Sequence, residues 1–138
     1  MEVRFKRLKP TAMMPTKAHN DDAGYDLYVS RCGYEHELWV CHSDIAFEIP
    51  AGHVGLVFPR SSVTNTDMRL ANCVGVIDAG YRGEVSAKFD CHGNGKRYFG
   101  GDRFAQLIIM PIPDITLTEA DQLTDTERGD GGYGSTGK

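Results

Sequence analysis

Asp78 carries a carboxylate at a position from which it can contact a bound ligand. It follows the apolar stretch 74–77 and opens a turn over residues 78–83, after which a second apolar stretch covers residues 85–89. Strand-forming residues on both sides of a Gly-containing turn predict a β-hairpin, and a Gly within a strand, such as Gly75, marks a close approach to the backbone. The pattern predicts a flat ligand along the hairpin, facing the Asp78 carboxylate. An ordinary hairpin with an Asp capping its turn is the alternative.

A second group of polar residues follows the apolar stretch 54–58. Arg60, Ser61 and Ser62 combine a guanidinium, two hydroxyls and backbone amides at a strand end, and such groups can hold phosphate oxygens. A solvated turn is the alternative here. Gln106 is a polar residue near the start of the apolar run 104–110, where strand alternation alone also accounts for it.

The Gly-rich stretch 128–137 is a third candidate anion site. Its glycines allow backbone N–H groups to converge on an anion, and Arg128, Ser135 and Thr136 add donors. On composition alone, residues 128–138 form a flexible tail.

Short strands must position these candidate residues. Apolar or alternating stretches, each closed by Gly, Pro or polar turns, predict strands over residues 3–8, 23–29, 37–40, 45–49, 54–58 and 104–110 besides the two arms of the hairpin. Residues 61–67 are compatible with one helical turn. Many short strands in 138 residues, without an internal repeat, indicate a single all-β domain, a sandwich or a barrel.

Composition and cysteine spacing limit the function classes. The net charge of −4 provides no general basic field for nucleic acid, and no apolar run reaches the ~20 residues of a membrane span. The N-terminus lacks the apolar core of a signal peptide, so we expect a soluble, cytoplasmic protein. No CxxC pair occurs among the four cysteines, which predicts buried free thiols rather than a zinc site. A bridge between Cys32 and Cys41 across a hairpin stays open.

Five stretches, taken together and in order, resemble the motifs of the trimeric deoxyuridine triphosphatases (dUTPases). They are residues 23–28, 59–62, 72–83, 101–106 and 128–137. Two departures are small: Asp22 stands where many members carry Ser, and Tyr133 replaces the more usual Phe but keeps an aromatic face for stacking. Residues 30–44 match the family poorly.

The resemblance implies an architecture and a reaction. Residues 1–127 would form a distorted, jelly-roll-like β-barrel, and residues 128–138 a tail that closes over the nucleotide. The subunits would assemble as a homotrimer with active sites at subunit interfaces. The reaction would be the Mg²⁺-dependent hydrolysis of dUTP to dUMP and pyrophosphate, with no nucleic acid or membrane as partner.

The resemblance also implies roles for individual residues. Asp78 would be the general base that activates a water for attack on the α-phosphorus, and Tyr81 would pack on the sugar and exclude a 2′-hydroxyl. Asp26 would act on Mg²⁺ through its water shell, the ion being held mainly by substrate phosphates. The uracil edge would be bound by Asn72, Gly75, Val76 and Ile77, with Ser86 touching the base. Phosphate oxygens would be held by Arg60, Ser61, Ser62 and Gln106. In the tail, Arg128, Gly134, Ser135 and Thr136 would close over the γ-phosphate side while Tyr133 covers the uracil.

Two other functions are compatible with this resemblance. The related dCTP deaminases share the central stretch but carry a catalytic Glu in a Leu-Glu pair on its second arm, where this sequence has Ala87 and Lys88. A non-catalytic regulator could reuse the fold to bind a nucleotide or a protein. The Gly-rich tail, which the deaminases lack, and the intact Asp78 and Gln106 favour dUTP hydrolysis.

Overall fold

The computed structural model describes residues 1–132, so the expectations for Tyr133, Gly134, Ser135 and Thr136 lie outside the described residues. Within that range the chain forms short β-strands and a 3₁₀ turn. The strands are β1 (Arg4–Arg7), β2 (Tyr25–Tyr28), β3 (Arg31–Glu35), β4 (Leu38–Glu48), β5 (His53–Pro59), β6 (Met68–Leu70), β7 (Gly75–Ile77), β8 (Glu84–Cys91) and β9 (Arg103–Pro111), and the 3₁₀ turn covers Ser61–Asn65.

The strands form two antiparallel sheets. One has the order β1-β4-β8-β6, with β3 also paired to β4, and the other has the order β2-β9-β5-β7. Apolar side chains from both sheets fill the space between them, among them Leu27, Ile45, Val85, Phe89 and Phe104. The expected all-β, jelly-roll-like fold is confirmed. No strand pairing in residues 1–132 joins the two sheets, so the barrel is not closed.

The long strand β4 differs from the prediction. Residues 37–40 and 45–49 were expected as two strands, but one strand runs through both, with an irregularity between His42 and Ala46. Its hairpin partner β3 was not among the predicted strands, although the hairpin that was considered for Cys32 and Cys41 is present and pairs these two residues. The two residues of the connecting turn, His36 and Glu37, both have positive φ. Such turns usually carry Asn or Gly, so this sequence gave no hairpin signal.

The predicted central hairpin is wrong. Strand β7 pairs with β5 in one sheet, whereas β8 pairs with β4 and β6 in the other. Residues 78–83 therefore pass from one sheet to the other rather than forming the turn of a hairpin. A run of strand-forming residues does not specify its partner, because either sheet can bury it. The close approach at Gly75 is to the chain itself, since a β-carbon there would lie 3.2 Å from Val57 Cβ.

The cysteines are free thiols in differing environments. Cys32 and Cys41 are cross-strand neighbours on β3 and β4 but are not bonded to each other. Burial raises the pKa of both thiols and favours their neutral form. Cys91 is half-buried, but Cys73 is exposed, which corrects the expectation that all four are buried.

Two further findings concern the surface. The alternation of apolar and charged residues in the predicted strand 3–8 is typical of a half-buried strand, yet all four residues of β1 are exposed in the single chain. None of the helical segments in residues 1–132 has the length and apolar character needed to cross a membrane.

Candidate functional site

Asp26 and two arginines form the centre of the first group of predicted residues. Asp26 lies on β2, directly opposite Gln106 on β9, and Arg60 follows the end of β5. Arg60 Nε donates to Asp26 Oδ1 over 2.7 Å, and Arg103 Nη1 donates to Asp26 Oδ2 over 3.2 Å. The Asp26 side chain is only 14% exposed. One half-buried carboxylate therefore fixes two guanidinium groups at the same edge of the sheet.

Ser62 and Gln106 lie beside this ion cluster. Arg60 Nη1 donates to Ser62 Oγ over 3.2 Å, and Gln106 Nε2 donates to the Pro59 carbonyl, also over 3.2 Å. Gly24 leaves room for the amide, because a β-carbon at Gly24 would lie 2.9 Å from Gln106 Oε1. Donor groups from two segments distant in sequence, residues 60–62 and 103–106, thus meet beside the Asp26 carboxylate, an arrangement suited to phosphate oxygens.

Arg103 is a member of this cluster that was not predicted. It lies within the stretch 101–106, in which Gln106 was the predicted site residue. The signal that would have found it is its charge at the start of an apolar strand. Ser61, by contrast, is exposed and begins the 3₁₀ turn.

The residues predicted to bind a base gather around one cavity. Asn72, Gly75, Val76, Ile77 and Ser86 all line a cavity of about 380 Å³. It lies between the ends of β7 and β8, so the sheet crossing that replaces the hairpin still brings both arms to one place. Six further residues line the cavity and were not predicted: Leu38, Val57, Leu70, Ala71, Ala87 and Lys88.

Asp78 and Tyr81 line an adjoining cavity of about 260 Å³. It shares Val76, Ile77 and Ser86 with the first and adds Glu84. The Asp78 side chain is exposed, and the Asp78 carbonyl accepts the Tyr81 N–H over 3.0 Å within the turn. An exposed carboxylate next to a half-buried cavity is available to contact both a ligand and a water.

The two groups remain separate in the single chain. Among the described residues, no hydrogen bond or ion pair connects Asp26, Arg60 or Gln106 with Asp78 or Tyr81. Arg128, at the start of the predicted tail, is exposed and donates from Nε to the Gly131 carbonyl over 3.1 Å. The polar groups of residues 1–132 therefore form two clusters, one around Asp26 and one around Asp78, without a hydrogen bond or ion pair between them.

A dedicated metal cage is absent from residues 1–132, where no three His, Cys, Asp or Glu side chains cluster at ligating distance. The single candidate, Asp26, has both oxygens in ion pairs, although each carboxylate oxygen can accept more than one hydrogen bond. This donor set fits Mg²⁺ that keeps its water shell and takes direct ligands from a phosphorylated substrate.

The comparison with known families decides the classification. The family model for dUTPase matches residues 11–137. The chain is a member of the dUTPase family. The deoxyuridine 5′-triphosphate nucleotidohydrolase of Corynebacterium glutamicum is 38% identical over 99% of this chain and 95% of its own length. The same-named protein of Nocardia farcinica is 37% identical over 98% of this chain and 85% of its own length.

Solved dUTPase structures share the fold. The Staphylococcus bacteriophage 80alpha dUTPase with dUPNHPP has a TM-score of 0.84 and 29% identity, with 99% of each chain covered. A mutant dUTPase from phage phi11 of S. aureus, described with a structural Mg(II) ion, has a TM-score of 0.75 and 27% identity over 88% of this chain and 98% of its own. The resemblance seen in five short stretches therefore extends over the whole fold.

Proposed function

We propose that this dUTPase-family chain hydrolyses dUTP to dUMP and pyrophosphate by attack of a water on the α-phosphorus. The observation that carries the proposal is the convergence of Asn72, Gly75, Val76, Ile77 and Ser86 on one cavity directly beside exposed Asp78. A base-sized cavity next to a free carboxylate suits a nucleotide whose reacting phosphate lies near the sugar.

Recognition of the base is assigned to the larger cavity. Asn72 and the backbone of residues 75–77 bind the uracil edge, and Ser86 touches the ring. A pocket lined this closely rejects the methyl of thymine by overlap, and it rejects cytosine because the amino group leaves buried polar groups unpaired. Tyr81 packs on the sugar and occupies the space of a 2′-hydroxyl.

Asp78 acts as the general base. Its carboxylate takes a proton from the water, a bond forms between that oxygen and the α-phosphorus, and the bond from the α-phosphorus to the bridging oxygen breaks as pyrophosphate leaves. A positioned base of this kind contributes about 10²–10⁴-fold in rate. The exposure of Asp78 supports this role, because the water must reach the carboxylate.

The triphosphate is assigned to the cluster around Asp26. Arg60, Ser61, Ser62 and Gln106 hold phosphate oxygens, and Asp26 acts through the water shell of Mg²⁺. Bound to the triphosphate, Mg²⁺ supplies positive charge to the leaving pyrophosphate. The tail, residues 128–138, is proposed as a unit distinct from the domain of residues 1–127. Arg128, Gly134, Ser135 and Thr136 close over the γ-phosphate side while Tyr133 covers the uracil.

A homotrimer with sites at its interfaces is part of the proposal. Residues 112–130 are exposed throughout, and Leu117 and Leu123 are 91% and 87% exposed. Apolar side chains in such a segment gain stability by packing on another subunit. Assembly would also bring the Asp26 cluster of one subunit next to the Asp78 cluster of another, two groups that do not contact each other within one chain.

The competing deaminase function finds little support in the second arm. Ala87 is buried in the core and Lys88 is exposed, so neither provides the carboxylate that deamination would need there. A regulator without catalysis would bind the nucleotide but leave it intact.

The deciding experiment compares the wild-type protein and Asp78→Asn on dUTP, dCTP, dTTP and UTP with Mg²⁺, measuring pyrophosphate, ammonia and the nucleotide product. We expect wild-type protein to convert dUTP to dUMP and pyrophosphate and to release no ammonia from dCTP. Asp78→Asn should bind a non-hydrolysable dUTP analogue normally while kcat falls about 10²–10⁴-fold, because an amide keeps the shape but cannot take the proton. Near-wild-type turnover of the variant would exclude Asp78 as the base, and binding without hydrolysis by wild-type protein would favour the regulator.

A further inference from the structure

The ring of Tyr81 is held against its own turn by two contacts. Tyr81 Oη donates to the Glu84 carbonyl over 3.0 Å. The ring also covers Gly83 so closely that a β-carbon on Gly83 would overlap the ring and its hydroxyl. The position of Tyr81 therefore depends on where the backbone of Glu84 lies.

The Glu84 side chain has three polar partners, although it lies beside the exposed turn 78–83. Its Oε1 accepts the Asp44 backbone N–H over 2.8 Å, and its Oε2 accepts Arg31 Nη2 over 3.1 Å and lies 2.9 Å from His42 Nδ1. Only 19% of the side chain is exposed. Three partners on one half-buried carboxylate leave it little freedom, because charge-assisted hydrogen bonds are stronger than neutral ones.

These partners come from β3 and β4, in the segment that resembles the family least. The irregularity in β4 turns the Asp44 N–H toward Glu84, with Asp44 at a φ of 52°. His42 is held from its other side, where Nε2 lies 2.9 Å from Glu35 Oε1. The hydrogen bond with His42 holds the pKa of Glu35 below its usual range, although Glu35 is exposed.

Other charged groups around the network fit this arrangement. Arg31 Nε also donates to Asp44 Oδ1 over 3.3 Å, and Lys9 Nζ lies 3.9 Å from the same oxygen. Ser43 Oγ donates to the Val85 carbonyl over 2.6 Å, next to Glu84 in the chain. The first residues of β8 are thus bound to β4 by hydrogen bonds from both side-chain and backbone groups.

We propose that Glu84 is a positioning residue that sets the discrimination between deoxyribose and ribose, by fixing through Arg31, His42 and the Asp44 N–H the carbonyl to which Tyr81 donates. This inference rests on the proposed function, in which Tyr81 occupies the space of the 2′-hydroxyl. Glu84 contacts no substrate in this account, so its effect must pass through Tyr81. Loosening Glu84 lets the ring move and admits the extra hydroxyl.

The main test measures kcat and KM of Glu84→Gln for dUTP and UTP. An amide presents one acceptor and one donor, so it cannot accept from both the Asp44 N–H on one side and Arg31 and His42 on the other. We expect the UTP-to-dUTP ratio of kcat/KM to rise about tenfold, the effect of losing roughly one charge-assisted hydrogen bond. The KM for UTP should account for most of the rise, because the Asp78 carboxylate is unchanged.

Asp67→Asn is the matched control. Asp67 Oδ2 also accepts a backbone N–H, that of Gly95 over 2.8 Å, and lies 3.7 Å from Arg97 Nη1, with 15% of the side chain exposed. Its partners lie away from the turn 78–83. We expect Asp67→Asn to lower thermal stability about as much as Glu84→Gln and to leave the nucleotide ratio unchanged.

A double-mutant cycle separates positioning from a general structural role. Tyr81→Phe removes the hydroxyl that donates to the Glu84 carbonyl and should raise the ratio by a similar factor. If Glu84 acts through that hydroxyl, Glu84→Gln should add little in the Tyr81→Phe background. If the two substitutions raised the UTP-to-dUTP ratio independently, so that their factors multiplied in the double variant, the proposal would be overturned. An unchanged ratio in Glu84→Gln would also overturn it.

A second variant is available if Glu84→Gln does not fold. Arg31→Gln removes one partner of Glu84 from the surface side and should raise the ratio by a smaller factor, and no rise would likewise contradict the proposal.

Hydrogen exchange gives a measurement independent of turnover. Amides of residues 78–84 should exchange faster in Glu84→Gln than in wild-type protein, and no faster in Asp67→Asn. If wild-type protein does not hydrolyse dUTP, the proposed function is rejected. Faster exchange in the turn of Glu84→Gln would still support the positioning contacts in that case. Unchanged exchange in an active enzyme would reject the positioning role alone.

Discussion

At the residue scale, the absence of a β-carbon at Gly83 decides where the Tyr81 ring lies. Gly83 carries no β-carbon, and the ring uses that space. The glycine pattern predicts a close approach at Gly75, where the neighbour is Val57 of another strand, while at Gly83 the neighbour is Tyr81 of the same turn. The pattern marks such a position without revealing which group approaches it.

Two glycines in the same turn give a matched pair for testing this. Gly83→Ala should displace the Tyr81 ring, lower kcat/KM for dUTP and weaken the discrimination against UTP. Gly80→Ala should behave as wild-type protein, because nothing lies within 4 Å of a β-carbon there. Steady-state kinetics on both nucleotides checks this, and equal behaviour of the two variants would show that the ring does not need the space at Gly83.

At the element scale, the strands that carry site residues were predicted more successfully than their pairing. Strands β2, β5 and β9 fall where alternating or apolar stretches indicated them, and they bring Asp26, Arg60 and Gln106 together. A hairpin was considered only for the pairing of Cys32 with Cys41, and strand β3 itself was not predicted, because the turn residues His36 and Glu37 adopt positive φ without the usual Asn or Gly. The crossing of residues 78–83 between sheets is a tertiary choice that local sequence does not encode.

The irregularity in β4 has an expected pH signature through Asp44. Burial alone would raise the pKa of this carboxyl, but the hydroxyl of Ser30 and the guanidinium of Arg31 hold it below its usual range. A carboxyl with a lowered pKa stabilises the folded state above its unfolded pKa of about 4, and this contribution is lost as the pH falls through the folded value. Asp44→Asn should therefore lower the unfolding midpoint at pH 7, and the difference from wild-type protein should shrink below about pH 4.

Asn is the suitable replacement because it tolerates the left-handed backbone that Asp44 adopts. Asp121→Asn, in an exposed part of the chain, serves as the control and should leave the midpoint unchanged at both pH values. Thermal unfolding followed by circular dichroism measures the difference. A constant difference between Asp44→Asn and wild-type protein from pH 7 to pH 3 would contradict the assignment to ionisation.

At the scale of the whole molecule, the single chain has a filled core, but its two clusters of predicted site residues do not contact each other directly. The core between the sheets is filled, whereas Ile115, Leu117 and Leu123 are exposed, and the Asp26 and Asp78 groups have no direct connection within residues 1–132. The sequence motifs predicted both groups, and the resemblance already implied active sites at subunit interfaces, but the motif order alone carries no information on which subunit would supply each part. Oligomer assembly is therefore the property that most needs experiment.

Mixed trimers test the division of the site directly. One subunit type carries Asp78→Asn with an intact tail, and the other keeps Asp78 but lacks residues 128–138. Each alone should be nearly inactive, the first without its base and the second without closure over the triphosphate. If the Asp78 turn and the tail of one site come from different subunits, random mixing of equal amounts should restore about a quarter of all sites, which corresponds to one wild-type site in each mixed trimer. Co-expression with two affinity tags and tandem purification isolate the mixed trimers, and a dUTP assay then measures their activity.

Two outcomes would contradict this division. Inactive mixed trimers would place base and tail on the same subunit, and a fully active monomer by native mass measurement would reject interfacial sites altogether.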